Sequence, residues 1–436
     1  MSHRRRLRQV VERALSLVAM SIGSTIAAQA EAQLRVVTYN IAQLRGDVSA
    51  FRDVLRWIGD DPDPETGVIR SPDIVVFQEV LPFQLVSLEQ DLEMADRLNI
   101  DYAAATFTDD SGSDTEQALL VRTDSIAEVA GGYRSLSNHT GPRRTDRWLC
   151  ALTSAPETTF YIYGAHLKAD SGTENEARRT SEVNAIRLDA DTLGSAHVVY
   201  SGDFNVYGPT EPAFLRFFDA GPGQAVDPRF NRTFPALSDT QSPFDEGTSW
   251  NLVGGGLDDR FDFLLTSQEF MGGGQFGIRP ASYRSFGNDG NHFNQSVNAG
   301  VNSYFDPTEQ HKAGDLAVAS DHLPVVADFD IPGATFSLAA DALTAGRPAS
   351  LHVTGGGPNQ NVYYFYSTQG MGVTEVSQLA VTLRLEQPIL AGKVRSDSTG
   401  AAVLSVQVPP DRHGARVWFQ AAQRQHATDP VYRQVL

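Results

Sequence analysis

The sequence predicts a layered α/β domain followed by a small all-β domain. Apolar segments with the character of strands recur between residues 34 and 330, and amphipathic segments with helical spacing lie between several of them. Such alternation is typical of layered α/β or α+β folds. After about residue 335 the chain changes to short alternating strands separated by Gly, Pro and Asn, which indicates a β-sandwich.

The individual elements follow from periodicity. The predicted strands of the first domain are LRVVTYN (34–40), PDIVVFQEV (72–80), ALLVR (118–122), FYIYGAHL (160–167), AHVVYSGDFN (196–205), RFDFLLTS (260–267) and LPVVADFD (323–330). Helical spacing relates Val48, Phe51, Val54, Leu55 and Ile58, then Leu85, Leu88, Leu92 and Ala95, and then Val183, Ile186, Ala190 and Leu193. In the second domain the predicted strands are SLHVT, NVYYFYS, AAVLSVQV and ARVWFQAA.

The first 32 residues have the pattern of a secretory signal peptide. Five arginines precede an apolar stretch, and small residues follow at Ala28, Ala30 and Ala32. An N-terminal anchor helix is the alternative, but the stretch is short and rich in Ser and Gly for a membrane span. We therefore expect a secreted or periplasmic protein without a transmembrane segment in the mature chain, with domains at 33–331 and 335–436.

Composition limits the partners of this protein. Acidic residues outnumber basic residues 53 to 35, which gives a formal net charge of −18. Such a charge repels polyanions at long range, so generic adhesion to nucleic acid or anionic lipid is disfavoured and phosphate chemistry would need local cations. The single cysteine, Cys150, excludes an internal disulfide, and its apolar surroundings favour a buried residue over a nucleophile.

The stretch VVYSGDFNVYG (198–208) changes from a buried strand to polar residues at Asp203. Because strand side chains alternate between faces, Asp203 and Asn205 are expected on one side and Phe204 in the core. Gly202 allows the backbone to bend at this point. A simple turn is the alternative, since Gly, Asp and Asn are turn formers.

Polar residues end or interrupt several other apolar segments. In layered α/β folds the strand ends on one edge converge on a crevice where ligands bind. Each of these residues alone is explained by a turn or a structural histidine, but together they predict a functional site. The residues are Asn40, Glu79, His166, Asp203, Asn205, Asp262, Asp321 and His322.

These residue types suit the hydrolysis of phosphoesters. Hard cations such as Mg²⁺ prefer carboxylate oxygens, waters and substrate phosphate, and Glu79 with Asn40 would supply such a partial cage. Asp203 would orient or deprotonate a water, while Asn205 and His166 would donate hydrogen bonds to phosphate.

A second set of residues concerns charge at the transition state. His322 can pair with a carboxylate such as Asp262, which would fix its tautomer and raise its pKa. A charged imidazole of this kind would stabilise a pentavalent phosphorus or act as an acid or base. No cluster of Cys or His residues indicates zinc.

Six short motifs carry a resemblance to a known family. They are TYN at Asn40, QE at Glu79, HLK at His166, GDFN at Asp203 and Asn205, RFDFLL at Asp262, and SDHLPV at Asp321 and His322. In this order and spacing the chain resembles the endonuclease/exonuclease/phosphatase superfamily, which has the deoxyribonuclease-I-like fold, over roughly residues 34 to 330.

The resemblance implies a four-layer α-β-β-α sandwich and divalent-metal-dependent cleavage of phosphodiesters or phosphomonoesters. It implies Mg²⁺, with Ca²⁺ or Mn²⁺ as alternatives, held mainly by Glu79 with help from Asn40 and Asp321. It also implies the remaining catalytic roles: Asp203 activates water, Asn205 and His166 contact phosphate, and Asp262 with His322 forms the acid–base pair.

Further cations and a long loop are candidates for substrate binding. Arg144 and Arg147 in GPRRTDRW and Arg178 after HLK would supply cations for phosphate, although a solvated loop or helix face explains each of them equally well. The polar loop SFGNDGNHFNQSVNAGVN (285–302) would lie over the site, with His292 and Asn294 touching the substrate; a structured surface loop is the alternative.

The sequence is compatible with three functions. The leading hypothesis is a secreted phosphodiesterase that acts on nucleic acid, with no obligate protein partner. The second is a phosphatase or a phospholipase C-like enzyme on inositol phosphates or sphingomyelin-like head groups, which would tolerate an acidic surface better. The third is a binding or adhesion protein whose function lies in the C-terminal β domain, disfavoured because every catalytic position carries a competent residue type.

Overall fold

The computed structural model describes residues 33–98, 100–109, 115–136, 143–244, 251–271, 276–332 and 336–436. These residues form two compact units. The N-terminal unit contains Gln33–Gly59 and Ser71–Ile331, and the C-terminal unit contains Asp60–Arg70 and Pro332–Leu436. The predicted signal peptide lies outside the described residues, so it stays a prediction.

Two seven-stranded sheets form the centre of the N-terminal unit. The first contains β1 (Gln33–Asn40), β2 (Ile74–Val80), β3 (Tyr102–Ala104), β4 (Glu116–Arg122), β12 (Gly277–Ile278), β13 (Arg284–Ser285) and β14 (Val325–Asp330). The second contains β5 (Ile126–Glu128), β6 (Arg134–Leu136), β7 (Thr145–Leu152), β8 (Ala155–His166), β9 (Val198–Asp203), β10 (Ala225–Val226) and β11 (Asp262–Ser267). The first sheet runs β12-β14-β1-β2-β4-β3 and the second runs β10-β11-β9-β8-β7-β5.

The two sheets pack face to face through apolar side chains. Val36 and Val76 of the first sheet share one buried cluster with Trp148, Ile162 and Leu264 of the second. Because side chains alternate along each strand, the opposite faces of the sheets need their own cover. Central strands such as β1 are therefore buried on both faces, as all eight of its residues are.

Helices cover both outer faces. They are α1 (Val48–Asp60), α2 (Leu85–Ala95), α3 (Thr173–Asp191), α4 (Pro212–Phe217) and α5 (His311–Ala319). Buried residues of α1, α2 and α5 share a core with the outer face of the first sheet, and those of α3 and α4 share one with the outer face of the second. The four-layer sandwich implied by the sequence is thus confirmed. None of the described helices is long and apolar enough to cross a membrane.

The C-terminal unit is a β-sandwich, as predicted. Its strands are β15 (Ser337–Ala340), β16 (Pro348–Thr354), β17 (Asn361–Ser367), β18 (Met371–Val376), β19 (Val381–Leu385), β20 (Ile389–Arg395), β21 (Ala402–Gln407), β22 (Arg416–Gln423), β23 (His426–Ala427) and β24 (Val431–Gln434). The three-stranded sheet β15-β16-β21 and the sheet built around β17 and β22 share one apolar core, and the β18–β19 hairpin packs through a second cluster.

One segment groups differently from the predicted boundaries. Residues 60–70, predicted within the N-terminal domain, belong to the C-terminal unit. Val68 forms a β-bridge with Val431, and the backbone N–H of Ile69 donates to the carbonyl of Pro430 at 2.9 Å. Arg70 adds an ion pair with Asp429 at 2.8 Å. These contacts make residues 60–70 a structural part of the β-sandwich, although they precede it by some 260 residues in the chain.

Candidate active site

Strand register brings the predicted site residues together. In the second sheet His166, Asp203 and Asp262 occupy aligned positions, because β8 pairs with β9 in parallel and β9 pairs with β11 antiparallel. Asn40 ends β1 of the first sheet and reaches the same point. The convergence of strand ends that the sequence predicted is therefore present, and it draws on both sheets.

The carboxylate of Asp203 lies at the centre of this cluster. Its Oδ2 atom accepts a hydrogen bond from Nδ2 of Asn40 at 3.1 Å and lies 3.3 Å from Nε2 of His166 and 3.7 Å from Nε2 of His322. Its Oδ1 atom accepts from the backbone N–H of Asn205 at 3.0 Å. Burial raises the pKa of Asp203 to about 7, an effect that nearby His322 opposes and Asp262 reinforces.

His322 and Asp262 form the predicted pair. Nδ1 of His322 lies 2.7 Å from Oδ2 of Asp262, and both side chains are buried. Burial alone would lower the pKa of His322, but attraction to Asp262 and Asp203 outweighs it and raises the pKa to about 10. The imidazole is therefore charged at neutral pH, with its Nδ1 hydrogen directed to Asp262.

Backbone and side-chain contacts fix this pair in place. Oγ1 of Thr240 accepts from the backbone N–H of Asp262 at 3.2 Å, and Oγ of Ser320 accepts from that of His322 at 3.3 Å. The amide nitrogen of Gln241 lies 2.9 Å from Nε2 of His322, but both nitrogens are donors when His322 is charged, so this contact does not hold the pair. Gln241 was missed by sequence reasoning, since a single Gln in a polar loop carries no distinctive pattern.

His166 contacts a guanidinium that the sequence analysis did not select. Nη1 of Arg143 lies 2.9 Å from Nε2 of His166 and donates to the carbonyl of Leu167 at 3.3 Å. Burial, and next the charge of Arg143, hold the pKa of His166 well below its ordinary value, so the ring is neutral at neutral pH. Arginine has only donors, so Nε2 accepts and the ring hydrogen lies on Nδ1, which is buried without a hydrogen-bond partner among the described residues.

Asn205 reaches the cluster by a different route from the predicted one. Strand β9 ends at Asp203, and Asn205 has a left-handed backbone with a φ of 50°. The backbone N–H of Asn205 donates to Oδ1 of Asp203, and this hydrogen bond closes an Asx-type turn. Nδ2 of Asn205 donates to the carbonyl of Leu167 at 3.3 Å. Strand alternation therefore does not explain why Asp203 and Asn205 lie together, although Phe204 is buried in the core as predicted.

The oxygen donors of the site fit a cation that needs few protein ligands. Among the described residues, no group of three or more His, Cys, Asp and Glu side chains is placed to hold a metal ion. Glu79 lies in a bulged part of β2 with a φ of 57°, and its partly exposed carboxylate lies 4.0 Å from Nε2 of His166. Oδ1 of Asn40 accepts from the N–H of Ala42 but keeps a second lone pair. One carboxylate and one amide oxygen, with waters and substrate as further ligands, match the coordination that Mg²⁺ prefers in proteins.

Asp321, the third predicted ligand, adjoins His322 at the edge of this group. Its Oδ2 atom accepts a hydrogen bond from the backbone N–H of Val253 at 2.9 Å. Its negative charge contributes to the raised pKa of His322. The structure thus places Asp321 beside the cluster, with one carboxylate oxygen already bonded.

The three predicted arginines contact carboxylates outside the cluster. Arg147 forms an ion pair with Asp189 at 2.6 Å, and its predicted contact with phosphate stays a prediction. Arg178 pairs with Glu174 one helical turn earlier and is 40% exposed. Arg144 interacts electrostatically with Asp146. The guanidinium that reaches the site is Arg143, the neighbour of the predicted Arg144, and the sequence offered no signal to choose between them.

Residues 285–302 form an ordered loop, in which the side chain of His292 bonds to other loop residues. Nδ1 of His292 lies 2.8 Å from Asp289, and Nε2 lies 2.9 Å from the carbonyl of Ala299. Hydrogen bonds from Asn291, Ser303 and His292 outweigh burial and hold the pKa of Asp289 well below its ordinary value. His292 is buried and bonded through both ring nitrogens, which helps to hold the loop together, and its predicted contact with substrate stays a prediction.

Asn294, the other predicted loop contact, is exposed. It has a left-handed backbone with a φ of 53°, and its N–H donates to the carbonyl of Leu257 at 2.7 Å. Left-handed geometry is readily adopted by asparagine, which gives this residue a structural reason to be where it is. Its contact with substrate stays a prediction.

Known proteins were compared with this chain by sequence and by structure. No protein-family model matches the sequence, and no curated protein is significantly similar to it. Among solved structures, the chain is similar to an endonuclease/exonuclease/phosphatase family protein from Bacteroides thetaiotaomicron, with 16% identity, a TM-score of 0.44, and coverage of 70% of this chain and 99% of that one.

Two further solved structures are similar over the same share of this chain. D. rerio TDP2 in complex with a single-strand DNA product has 13% identity, a TM-score of 0.44, and coverage of 69% of this chain and 100% of that one. A mannosyl-6-phosphatase from Bacteroides thetaiotaomicron VPI-5482 has 17% identity, a TM-score of 0.42, and coverage of 68% and 99%. The endonuclease/exonuclease/phosphatase family, to which the first of these solved structures belongs, is also the family that the sequence motifs resemble.

Proposed function

We propose that this protein is a divalent-metal-dependent phosphoesterase that hydrolyses phosphodiester bonds, with nucleic acid as its substrate. The observation that carries the proposal is the position of Asp203. Its buried carboxylate lies within 3.7 Å of Asn40, His166 and His322, while His322 is held from its other side by Asp262 at 2.7 Å. This arrangement places a proton acceptor, amide donors and a fixed imidazolium around one point.

Each group has a role in displacement at phosphorus. Asp203, whose pKa is raised to about 7, accepts the proton of the attacking water. His322, charged at neutral pH, stabilises the negative charge that develops on the phosphoryl oxygens or protonates the leaving oxygen. Arg143 supplies a second fixed cation beside His166, and Nδ2 of Asn205 donates from the turn after β9.

A cation would be held by Glu79 with Asn40 and Asp321. When bound, a Mg²⁺-type ion would supply positive charge to the phosphoryl oxygens. The partly exposed carboxylate of Glu79 is the ligand best placed for it, because solvent and substrate can complete the coordination from the same side. Ca²⁺ and Mn²⁺ are alternatives that accept similar oxygen donors.

A phosphomonoester substrate is the second candidate, and two observations favour it. Asn40, His166, Asp203 and His322 are at most 3% exposed, a depth that suits a small terminal phosphate. The net charge of −18 also opposes the approach of a polyanion more than that of a small substrate. Salt and bound divalent cations weaken this objection by screening.

The proposed setting is outside the cytoplasm. The pattern of residues 1–32 supports export, since a basic start, an apolar stretch and small residues follow in the order of a signal peptide. The N-terminal sequence of the protein recovered from culture medium or periplasm tests this point. A protein recovered from the cytoplasm with residues 1–32 intact would contradict it.

The substrate proposal is tested with one panel of reactions. The full chain is incubated with Mg²⁺, Ca²⁺ or Mn²⁺, and then with excess chelator, on supercoiled DNA, single-stranded DNA, RNA, a sugar phosphate, an inositol phosphate and sphingomyelin. We expect metal-dependent cleavage of nucleic acid that chelator abolishes. Asp203→Asn, which keeps the shape of the side chain, serves as the inactive enzyme, and Asp219→Asn, whose side chain is 60% exposed, serves as the matched control.

The outcomes separate the candidates. Release of phosphate from the small substrates with nucleic acid untouched would replace the leading proposal by the phosphomonoesterase. Release of phosphocholine alone would replace it by the phospholipase C-like enzyme. Equal activity of Asp203→Asn and the native chain, or activity in full chelation, would reject the mechanism itself.

A further inference from the structure

We propose that the C-terminal unit binds an amphipathic anion, an apolar chain carrying one carboxylate, in a cavity at the end of its β-sandwich. The cavity has a volume of about 430 Å³ and is lined entirely by residues of this unit. It lies between β21 of one sheet and strands β17, β20 and β22 of the other. The inference does not depend on the proposed phosphoesterase activity.

The interior of the cavity is apolar. Its wall includes Ala391, Val406 and Phe419, all of which also belong to the apolar core that joins the two sheets. Protein interiors are close-packed, so the core of a sandwich ordinarily leaves no gap of this size. Its volume lies within the roughly 300–1,000 Å³ typical of ligand pockets. An apolar ligand would complete the core and remove this surface from water.

Among the described residues, the charged side chains that line the cavity are all basic. Arg412 and Arg416 both line it, whereas none of the described residues that line it is acidic. The side chain of Arg412 is 60% exposed, and its acidic neighbour Asp411 is 74% exposed and 3.8 Å away, a loose pair in water.

The position of the charges defines the orientation of the ligand. Because Arg412 is largely in solvent while Phe419 and Ala391 are buried, the guanidinium of Arg412 lies at the mouth and the apolar wall lies behind it. A carboxylate at the mouth would bind a guanidinium by charge-assisted hydrogen bonds, and the attached chain would extend inward. Thr368 adds a hydroxyl to the lining.

The test uses decanoate as the probe and isothermal titration calorimetry of the full chain. We expect saturable binding of one molecule per chain, weakened about tenfold or more when decanol replaces decanoate, since the anionic head is lost. Acetate, which lacks the chain, should not bind measurably. Arg412→Glu should weaken decanoate by about tenfold or more without affecting the fold, because the side chain is exposed.

Two further variants locate the site. Ala391→Trp would fill the cavity from its buried wall and should abolish binding. Arg424→Glu makes the same charge change at an exposed residue of the same unit that does not line this cavity, and it should bind decanoate like the native chain. Arg412→Glu keeps the test decisive if Ala391→Trp fails to fold.

Several results would overturn the proposal. They are no heat of binding with decanoate, equal affinity for decanoate and decanol, equal weakening by Arg412→Glu and Arg424→Glu, and native affinity in a folded Ala391→Trp variant. Vesicles of phosphatidylglycerol serve as a final probe. Binding to these vesicles without binding to free decanoate would make the same surface a membrane contact and reject the ligand site.

Discussion

Oδ2 of Asp203 and Nε2 of His322 lie 3.7 Å apart at the point where the two sheets of the N-terminal unit meet. The two groups affect each other in opposite senses. Asp203 helps to raise the pKa of His322, while His322 opposes the rise that burial causes in the pKa of Asp203. A proton acceptor and a charged imidazole are therefore held side by side, a combination that suits the hydrolysis of a phosphoester.

Asp262→Asn should lower kcat by about 10²- to 10⁴-fold, as expected when an acid–base group loses the partner that orients it. The amide that replaces the carboxylate cannot hold a charged imidazole at Nδ1 in the same way. Steady-state kinetics on the substrate identified by the panel measure kcat and KM separately, and KM should change little. Asp219→Asn is the control with an exposed side chain. Native kcat in Asp262→Asn would show that the pair has only a structural role.

Arg143→Ala should lower kcat/KM by about 10- to 100-fold, since a charge-assisted hydrogen bond of roughly 1.5–3 kcal/mol is lost. The reason is the position of its guanidinium, 2.9 Å from His166 within the cluster. Arg144→Ala removes the same side chain one residue later and should stay within about threefold of the native value. If the Arg144 variant lost more activity than the Arg143 variant, the assignment of the phosphate-binding cation would be reversed.

The periodicity of apolar residues predicted most of the N-terminal fold, because burial of one face of a strand or helix requires apolar residues at regular spacing. The strand ending at Asn40 and the helix around Phe51 and Val54 are covered on their apolar faces, so their sequence must show it. The two-residue strands β10, β12 and β13 carry no such signal, because their pairing is set by the neighbouring strands rather than by their own residues. The same holds for residues 60–70, whose partners lie in a distant part of the chain.

The site was predictable to the extent that its residues end strands. Asp203 and Asp262 interrupt apolar runs, so their chemistry is visible in the sequence. Arg143 and Gln241 lie in polar segments, and only the fold brings them to His166 and His322. Long-range placement of this kind depends on the whole packing arrangement, which local composition does not encode.

Gly202→Ala should destabilise the N-terminal unit by more than about 2 kcal/mol and distort the site. Gly202 has a φ of 134°, and a Cβ atom there would lie 1.9 Å from the carbonyl oxygen of Ala165 on the adjacent strand. That strand carries His166 opposite Asp203, so any separation of β8 and β9 moves both. Denaturant unfolding followed by fluorescence measures the free energy.

Gly208→Ala is the matched control for this change. Gly208 lies six residues further along the chain, and a Cβ atom there would meet nothing within 4 Å. It should change the free energy of unfolding by no more than about 0.5 kcal/mol. Comparable stabilities of the two variants would show that the close approach of β8 and β9 does not constrain residue 202.

The stability of the N-terminal unit should fall with rising pH because of Glu182. This residue of α3 is buried, and burial raises its pKa to about 7 although the backbone N–H of Lys168 donates to it at 2.9 Å. The folded-state pKa lies above the unfolded value, so the carboxylic acid contributes its full stability below the unfolded value of 4.5 and loses it as the pH rises through about 7. Glu182→Gln cannot ionise, yet its Oε1 can still accept from Lys168. Relative to the native chain, the variant should therefore gain up to about 3 kcal/mol between pH 4 and pH 8, measured by denaturant unfolding at both pH values. A difference between the two proteins that is independent of pH would mean that Glu182 ionises normally in the folded state, with solvent or a cation reaching its carboxylate.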